Sequence, residues 1–243
     1  MSIRRIIPAP VKRALKPFIE PIRNRRRRSR LKSVVDRLLA GELGSELLQE
    51  AHRAWGNEGF SADLQYLKEA VALARSTQNP ILECGTGLTT LVCGAIAQRR
   101  GIAMYCLEQD ELWLSEVRGL LFDLSVRTFY APLVQRSDYA WYDINGIELP
   151  RNIGVVICDG PYVSTDWPPD VHANWRFGVL PTLKKAGITY DKLLLDDVDE
   201  PRAARVLERW AEFGATHQLI HGSDAGICAV VACPKKSPHE EAG

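Results

Sequence analysis

Two textures of apolar positions follow one another along the chain. In the first, Val34, Val35, Leu38, Leu39, Leu43, Leu47, Leu48 and Ala51 recur at helical spacing, with a break near Gly41 or Gly44. A further helix is predicted from Ser61, a good N-cap, with Leu64, Leu67, Val71 and Ala74 on one face. From Pro80 onward, short apolar runs at 81–82, 102–107, 128–130, 155–158 and 193–195 alternate with helical patterns over 89–100, 111–124, 177–185 and 201–213. Strands buried on both faces read as such runs, and crossover helices separate parallel neighbours. The pattern predicts a doubly wound α/β domain with a mostly parallel sheet. Two last runs, 217–220 and 227–232, flank Gly222, Asp224 and Gly226 and predict an antiparallel hairpin closing one sheet edge. The expected organisation is a basic leader over 1–32, N-terminal helices over 33–78, the α/β domain over 79–234 and a disordered tail over 235–243.

Composition narrows the class without changing this picture. Charged residues make up 25% of the 243 positions and apolar ones 46%, an ordinary globular balance. No stretch approaches the roughly 18 apolar residues of a membrane-spanning helix, and no apolar h-region follows the basic N-terminus. The six cysteines (84, 93, 106, 158, 228 and 233) form no C-x-x-C pair, and four sit in or beside apolar runs, so a reducing, cytoplasmic setting is expected. The net charge of +1 conceals a division. Residues 1–32 hold 12 of the 31 Lys and Arg residues and one of the 30 acids, Glu20, with Arg25 to Arg28 the densest part. The leader reads either as an arm for anionic lipid or nucleic acid or as a solvated, partly disordered segment carrying Pro8, Pro10, Pro17 and Pro21. Leu15, Phe18, Ile19 and Ile22 among Lys12, Arg13, Lys16 and Arg23 suit a short surface-seeking helix, hence peripheral contact with an anionic membrane.

The chemistry concentrates where the first strand ends, in Ile81-Leu82-Glu83-Cys84-Gly85-Thr86-Gly87-Leu88-Thr89-Thr90. Two glycines at that spacing let backbone turn tightly and approach a ligand with no Cβ in the way. A dinucleotide fingerprint would need a third small residue at position 90, where Thr90 stands, and the carboxylate of Glu83 suits a cationic ligand better than a pyrophosphate. The next strand ends in Glu108, placed to meet a ribose diol, and a later one in Asp159.

These residues resemble those of the class I S-adenosylmethionine (SAM)-dependent methyltransferases, over roughly residues 55–233. The stretch from Leu82 to Gly87 matches that family's hydrophobic-acid-x-Gly-x-Gly motif, with Thr89 in place of its third glycine. The resemblance implies that Glu83 holds the methionine amino group, often through water. It also implies that Gly85 and Gly87 border the cofactor and that Glu108 binds its ribose. Asp138 is a candidate for the adenine-contacting acid. Asp159-Gly160-Pro161, Arg176-Phe177-Gly178-Val179-Leu180-Pro181 and Leu195-Asp196-Asp197 resemble a subgroup of bacterial small-molecule or sugar O-methyltransferases.

Methyl transfer is an in-line attack on a sulfonium carbon, to which an enzyme contributes alignment and a base. Asp159, Asp196 and Asp197 follow strand-like runs and suit a Mg²⁺ ion, as in catechol-type O-methyltransferases; equally, they suit capping of turns and helices. The loop from Gly160 to Arg176 carries Tyr162, Trp167, Pro168, Pro169, His172 and Trp175, the make-up of an acceptor wall. His172 is the first candidate base and His221 the second, while Trp55 and Phe60 are placed to close over the cofactor. The leading function is O-methylation of a small molecule or sugar. A nucleic-acid methyltransferase is the rival, disfavoured by the acidic remainder of the chain and by Gly160 in Asp159-Gly160-Pro161-Tyr162. A catalytically inactive binding module and a homo-oligomer stay open, and an NAD-linked oxidoreductase is disfavoured by Thr90 and Glu83.

Overall fold

The computed structural model describes residues 9–56, 62–221 and 227–232, with backbone alone for 9–23 and 227. Phe60, Ser61, Gly222, Asp224, Gly226, Cys233 and the tail 235–243 lie outside the described residues.

The first element, α1 (Ala9–Ala40), runs through the boundary expected after residue 32. The physical reason is its apolar stripe: Leu31, Val34, Val35 and Leu38 are each no more than 2% exposed. Burying each such side chain is worth about 1.5–3 kcal/mol, so the second half of α1 belongs to the core. The break falls at Gly41, whose φ of 98° ends the helix. Helix α2 (Ser45–Trp55) buries Leu47, Leu48, Ala51, Ala54 and Trp55 and stops at Gly56 in the left-handed region. Helix α3 (Leu64–Ser76) is capped by Asp63, which accepts from the Tyr66 amide at 2.7 Å. The expected start at Ser61 is thus corrected by two residues, since a carboxylate is as good a cap as a hydroxyl.

The main sheet contains β1 (Ile81–Cys84), β2 (Met104–Glu108), β3 (Val126–Tyr130), β6 (Asn152–Cys158), β7 (Thr189–Leu195), β8 (Thr216–His221) and β9 (Ile227–Ala232). Their spatial order is β3-β2-β1-β6-β7-β9-β8. The first five are parallel; β9 runs antiparallel to β7 and to β8, so the last strand slots inside and β8 forms the edge. A two-stranded sheet, β4 (Leu133–Gln135) with β5 (Ala140–Tyr142), was not legible in the sequence because three-residue strands leave no pattern. Helices α4 (Leu88–Arg99), α5 (Glu111–Leu120), α7 (Val179–Lys185) and α8 (Pro201–Ala211) match expected segments, and α6 (Pro169–Ala173) is an added short turn. Helix α5 ends before 124 because Phe122 takes a φ of 55°.

Two cores result. Ile81 packs with α1 to α4 on one face, whereas Leu82 and Cys84 pack with Trp141, Phe177, Leu180, Val206 and Trp210 on the other. The N-terminal helices therefore complete a sheet layer. The strand order reverses between β1 and β6, where open α/β sheets form their ligand crevice. Among the described residues no helix is long and apolar enough to cross a membrane, and Cys84, Cys93, Cys106, Cys158 and Cys228 are buried and free.

Candidate active site

At the reversal point the two turn glycines have different jobs. Gly85 takes a φ of 91°, and a Cβ there would stand 2.8 Å from the Gly160 nitrogen of the neighbouring strand. It serves the contact between the ends of β1 and β6. Gly87, extended at φ −178°, caps α4, and a Cβ built on it meets nothing within 4 Å. Only the second glycine faces open space.

Glu83 is wholly buried on the α4 side. Its carboxylate accepts from the Thr89 hydroxyl at 2.5 Å and the Thr90 hydroxyl at 2.6 Å, while Thr90 Oγ1 accepts from the Gly87 amide at 2.8 Å. Strand alternation aims Glu83 at the first turn of α4, and threonines at the motif's last positions supply the hydroxyls. Burial pushes its carboxyl up to about 7; the hydrogen bonds from Thr89, Thr90 and Cys106 pull it back, and the charge of Asp159 adds to the rise.

Glu108 closes β2 and is 5% exposed. One oxygen accepts from the Thr86 amide and hydroxyl, both at 2.8 Å, and the other from the Gln109 and Asp110 amides at 2.8 and 3.0 Å. Four donors fill a carboxylate's ordinary capacity. The Trp113 indole donates to the Thr86 carbonyl at 2.8 Å, and Trp55 sets its ring edge-on to Trp113 at 5.9 Å. Both acids expected to hold the cofactor thus brace the glycine turn in this structure.

Across the crevice, Asp159 follows β6 and Asp196 and Asp197 follow β7, with carboxylate oxygens within 4.8 Å of one another. The sequence brings these three together by the shared carboxyl edge of parallel neighbours. Arg176, from the segment before α7, stands among them with a side chain 4% exposed. It donates to the Asp196 carbonyl at 2.6 Å, to the Asp197 carboxylate at 2.7 Å, to Asp159 Oδ1 at 3.2 Å and to the Asp159 carbonyl. Asp197 holds a left-handed φ of 54°, a strain that such contacts sustain. Burial raises the Asp159 carboxyl, with Arg176 opposing. Burial also holds Asp196 well above its ordinary value, with the Asp159 and Asp197 charges adding to it. Burial works against the charge on Arg176, yet the carboxylates outweigh it and keep the guanidinium firmly protonated.

The oxygen spacing is that of an ion site, but a cation already fills it. A hard divalent ion takes six or more oxygens and would be repelled by the guanidinium. As built, the donor set does not fit Mg²⁺.

His172 lies on α6 with its Nε2 2.9 Å from an Arg202 nitrogen. A guanidinium can only donate, so that imidazole lone pair is spent. His221 ends the exposed edge strand β8. Asp138 pairs with Arg209 at 2.9 Å and accepts from Asn174. Tyr162 is 67% exposed, and its carbonyl accepts from Gln109 at 2.6 Å, joining the loop after β6 to the end of β2. Arg176 escaped the sequence reading of site residues, although its aromatic neighbours Trp175 and Phe177 signal burial. Trp113 and Thr86 escaped it too, because nothing in spacing marks an indole that braces a turn.

No protein-family model matches the chain, and no curated protein matches it at a significant level. Solved structures do resemble it. The human METTL16 N-terminal domain in complex with SAH shares 12% identity at a TM-score of 0.51, covering 79% of this chain and 83% of that one. The METTL16 MTase domain in a second crystal form reaches 0.53 at 14% identity, covering 79% and 82%. The SAH-bound methyltransferase PaMTH1 of Podospora anserina reaches 0.51 at 14%, covering 77% and 88%. The chain has the class I methyltransferase fold.

Proposed function

We propose that the chain is a SAM-dependent methyltransferase that methylates a hydroxyl of a small molecule or sugar. One observation carries the reading: Gly87, alone of the two turn glycines, leaves room for a ligand beside Glu108 at the strand-order reversal. Solved proteins of this fold holding SAH support the cofactor. Bound here, SAM supplies a methyl group on a cationic sulfur. Gly87 would admit it, and Glu108 would exchange a hydrogen bond from Thr86 for those of the ribose hydroxyls. Glu83 acts as a positioning residue, fixing Thr89, Thr90 and so the Gly87 amide. Asp159 takes the acceptor's proton as the carbon–oxygen bond forms and the carbon–sulfur bond breaks. His172 is released from that part by its bond to Arg202.

The acidic crevice favours a sulfonium over a phosphodiester, which sets nucleic-acid substrates second. The exposed Arg25, Arg26 and Arg30 of α1 are the proposed contact with an anionic membrane surface. Calorimetry with SAM, SAH and NAD in parallel tests the cofactor. SAM and SAH are expected to bind with one site per chain and NAD not at all; heat from NAD alone would end the methyl-transfer reading.

A further inference from the structure

We propose that Arg176 is the resident cation of the Asp159–Asp196–Asp197 cluster, standing where related chemistry would place a divalent metal ion, so that this site works without one. Three observations converge on the guanidinium. It contacts all three acidic residues, two through carboxylates and two through backbone carbonyls, so it spans the ends of both β6 and β7. Its position is imposed from behind: its Cζ lies 3.6 Å from the Trp175 ring centroid, and Arg202 lies 4.6 Å from the same ring. Finally, its Nε is buried and has no partner among the described residues. A buried guanidinium N–H without a partner is costly and is tolerated where the remaining hydrogen bonds are strong and charge-assisted.

The ion-like spacing of the carboxylates then has a simple origin. Two carboxylates brought together need a positive charge between them, and a planar fork of donors satisfies them as an ion would. A guanidinium differs from a divalent ion in one decisive respect. It offers no open coordination position, so it cannot bind and acidify an acceptor hydroxyl. Its part is to hold Asp159 and Asp197 in place and to balance their charge. Arg176 is a positioning residue, and the proton must leave to a carboxylate directly. The cation assignment stands on geometry; this catalytic consequence rests on the methyl-transfer reading.

The test reads the free Mn²⁺ signal by electron paramagnetic resonance on the full chain, with no SAM present. The parent is expected to leave Mn²⁺ free. Arg176→Ala and Arg176→Gln are expected to take up one Mn²⁺ per chain, at least about tenfold more tightly than the parent. Adding Asp196→Asn or Asp159→Asn should return the ion to solution. Guanidinium ion at low concentration should displace Mn²⁺ from Arg176→Ala where sodium at equal ionic strength does not. A parent that binds Mn²⁺ and loses it on Asp159→Asn overturns the proposal. So do folded Arg176 variants that leave Mn²⁺ free, since the guanidinium would then merely anchor a loop. If the variants do not fold, the parent measurement decides by itself. Because SAM calorimetry is separate, failure of the cofactor reading leaves this outcome readable.

Discussion

On the β1–β2 side of the carboxyl edge, Glu83 and Glu108 meet neutral donors of their own surroundings: threonine hydroxyls, the Cys106 thiol and backbone amides. On the β6–β7 side, Asp159 and Asp197 meet a guanidinium. Carboxyl groups along one edge of the parallel sheet are therefore stabilised by hydrogen bonds in one half and by charge in the other. The difference decides what each half attracts. A carboxylate held by neutral donors, as Glu108 is, leaves its charge uncompensated for a cationic ligand, whereas burial holds Glu83 toward its neutral acid. Carboxylates already paired with a buried arginine offer little to a further cation. In the proposed reading, one half receives a sulfonium and the other turns a metal ion away.

Removing the guanidinium is the harshest way to break this contrast. Arg176→Met leaves two carboxylates with their partner gone from a largely dry site. Losing one partner of a buried pair costs about 3–5 kcal/mol, nearer the lower figure here because the Asp197 side chain is 47% exposed. Urea unfolding at neutral pH should show that loss, and the loss should shrink in acid as Asp159, whose carboxyl burial raises, takes up its proton. A deficit that is small at neutral pH and constant with pH would mean the pair contributes little.

Glu83 sharpens the other half. The folded state holds its proton up to about pH 7, whereas an unfolded glutamate releases it near 4.5. Between those values the native chain binds more protons, so its stability falls as pH rises through the window and the penalty is complete above it. The shift corresponds to about 3 kcal/mol. Glu83→Gln should remove that slope, so the variant gains on the parent steadily from pH 4.5 to 7. Asp159 and Asp196 are raised as well and are common to both proteins, so the difference retains only the slope of Glu83 and its coupling to Asp159. Parallel stability profiles would show that Glu83 is not held neutral.

How much of this could be read in advance follows from the range of each interaction. The sheet and its helices were legible because runs such as 155–158 and stripes such as Val206, Leu207 and Trp210 are local signals. The three aspartates and both glycines were legible because strand ends of a parallel sheet share one edge. Their partners were not. Arg176 reaches Asp197 across 21 positions and Trp113 reaches Thr86 across 27, and no periodicity reports contacts of that separation. The stripe of Val34, Val35 and Leu38 was legible as helical spacing, but Leu31 stands among basic residues, and only the structure shows α1 carrying the stripe back into the segment expected as leader.

The glycine turn separates packing from ligand approach at a smaller scale. Gly85→Ala meets both the left-handed φ and the Gly160 backbone, so stability should drop by about 1–3 kcal/mol. Gly87→Val should unfold like the parent yet lose SAM in calorimetry, because its side chain enters the open space. Glu108→Ala should weaken SAM by about 1.5–3 kcal/mol, roughly tenfold to a hundredfold. If Gly87→Val binds SAM as the parent does, the cofactor lies elsewhere.

The smallest effect links the basic leader to the same half of the edge. The glycine turn lies beyond residue 80, far along the chain from the leader. The structure traces a path between them. Arg27 lies 4.8 Å over the Trp55 ring, Trp55 abuts Trp113, and Trp113 holds the Thr86 carbonyl. Arg28 bonds the Gly119 carbonyl and lies 5.1 Å over Phe122 at the end of α5. Two of the four consecutive arginines, the half-buried Arg27 and the exposed Arg28, therefore touch the domain. Each cation–π contact of this kind contributes about 0.5–1 kcal/mol. Deleting residues 1–30 should accordingly lower SAM affinity by a few fold, about 1 kcal/mol. Trp113→Phe, which removes the hydrogen bond to Thr86 while keeping an aromatic ring, should reproduce most of that loss with α1 intact. Deletion without effect, beside a Trp113→Phe that weakens binding, would cut the path at Trp55 and leave Arg27 and Arg28 as surface packing. Both variants binding SAM like the parent would mean that Glu108 alone fixes the turn, and the hydrogen-bonded half of the edge would need nothing from α1.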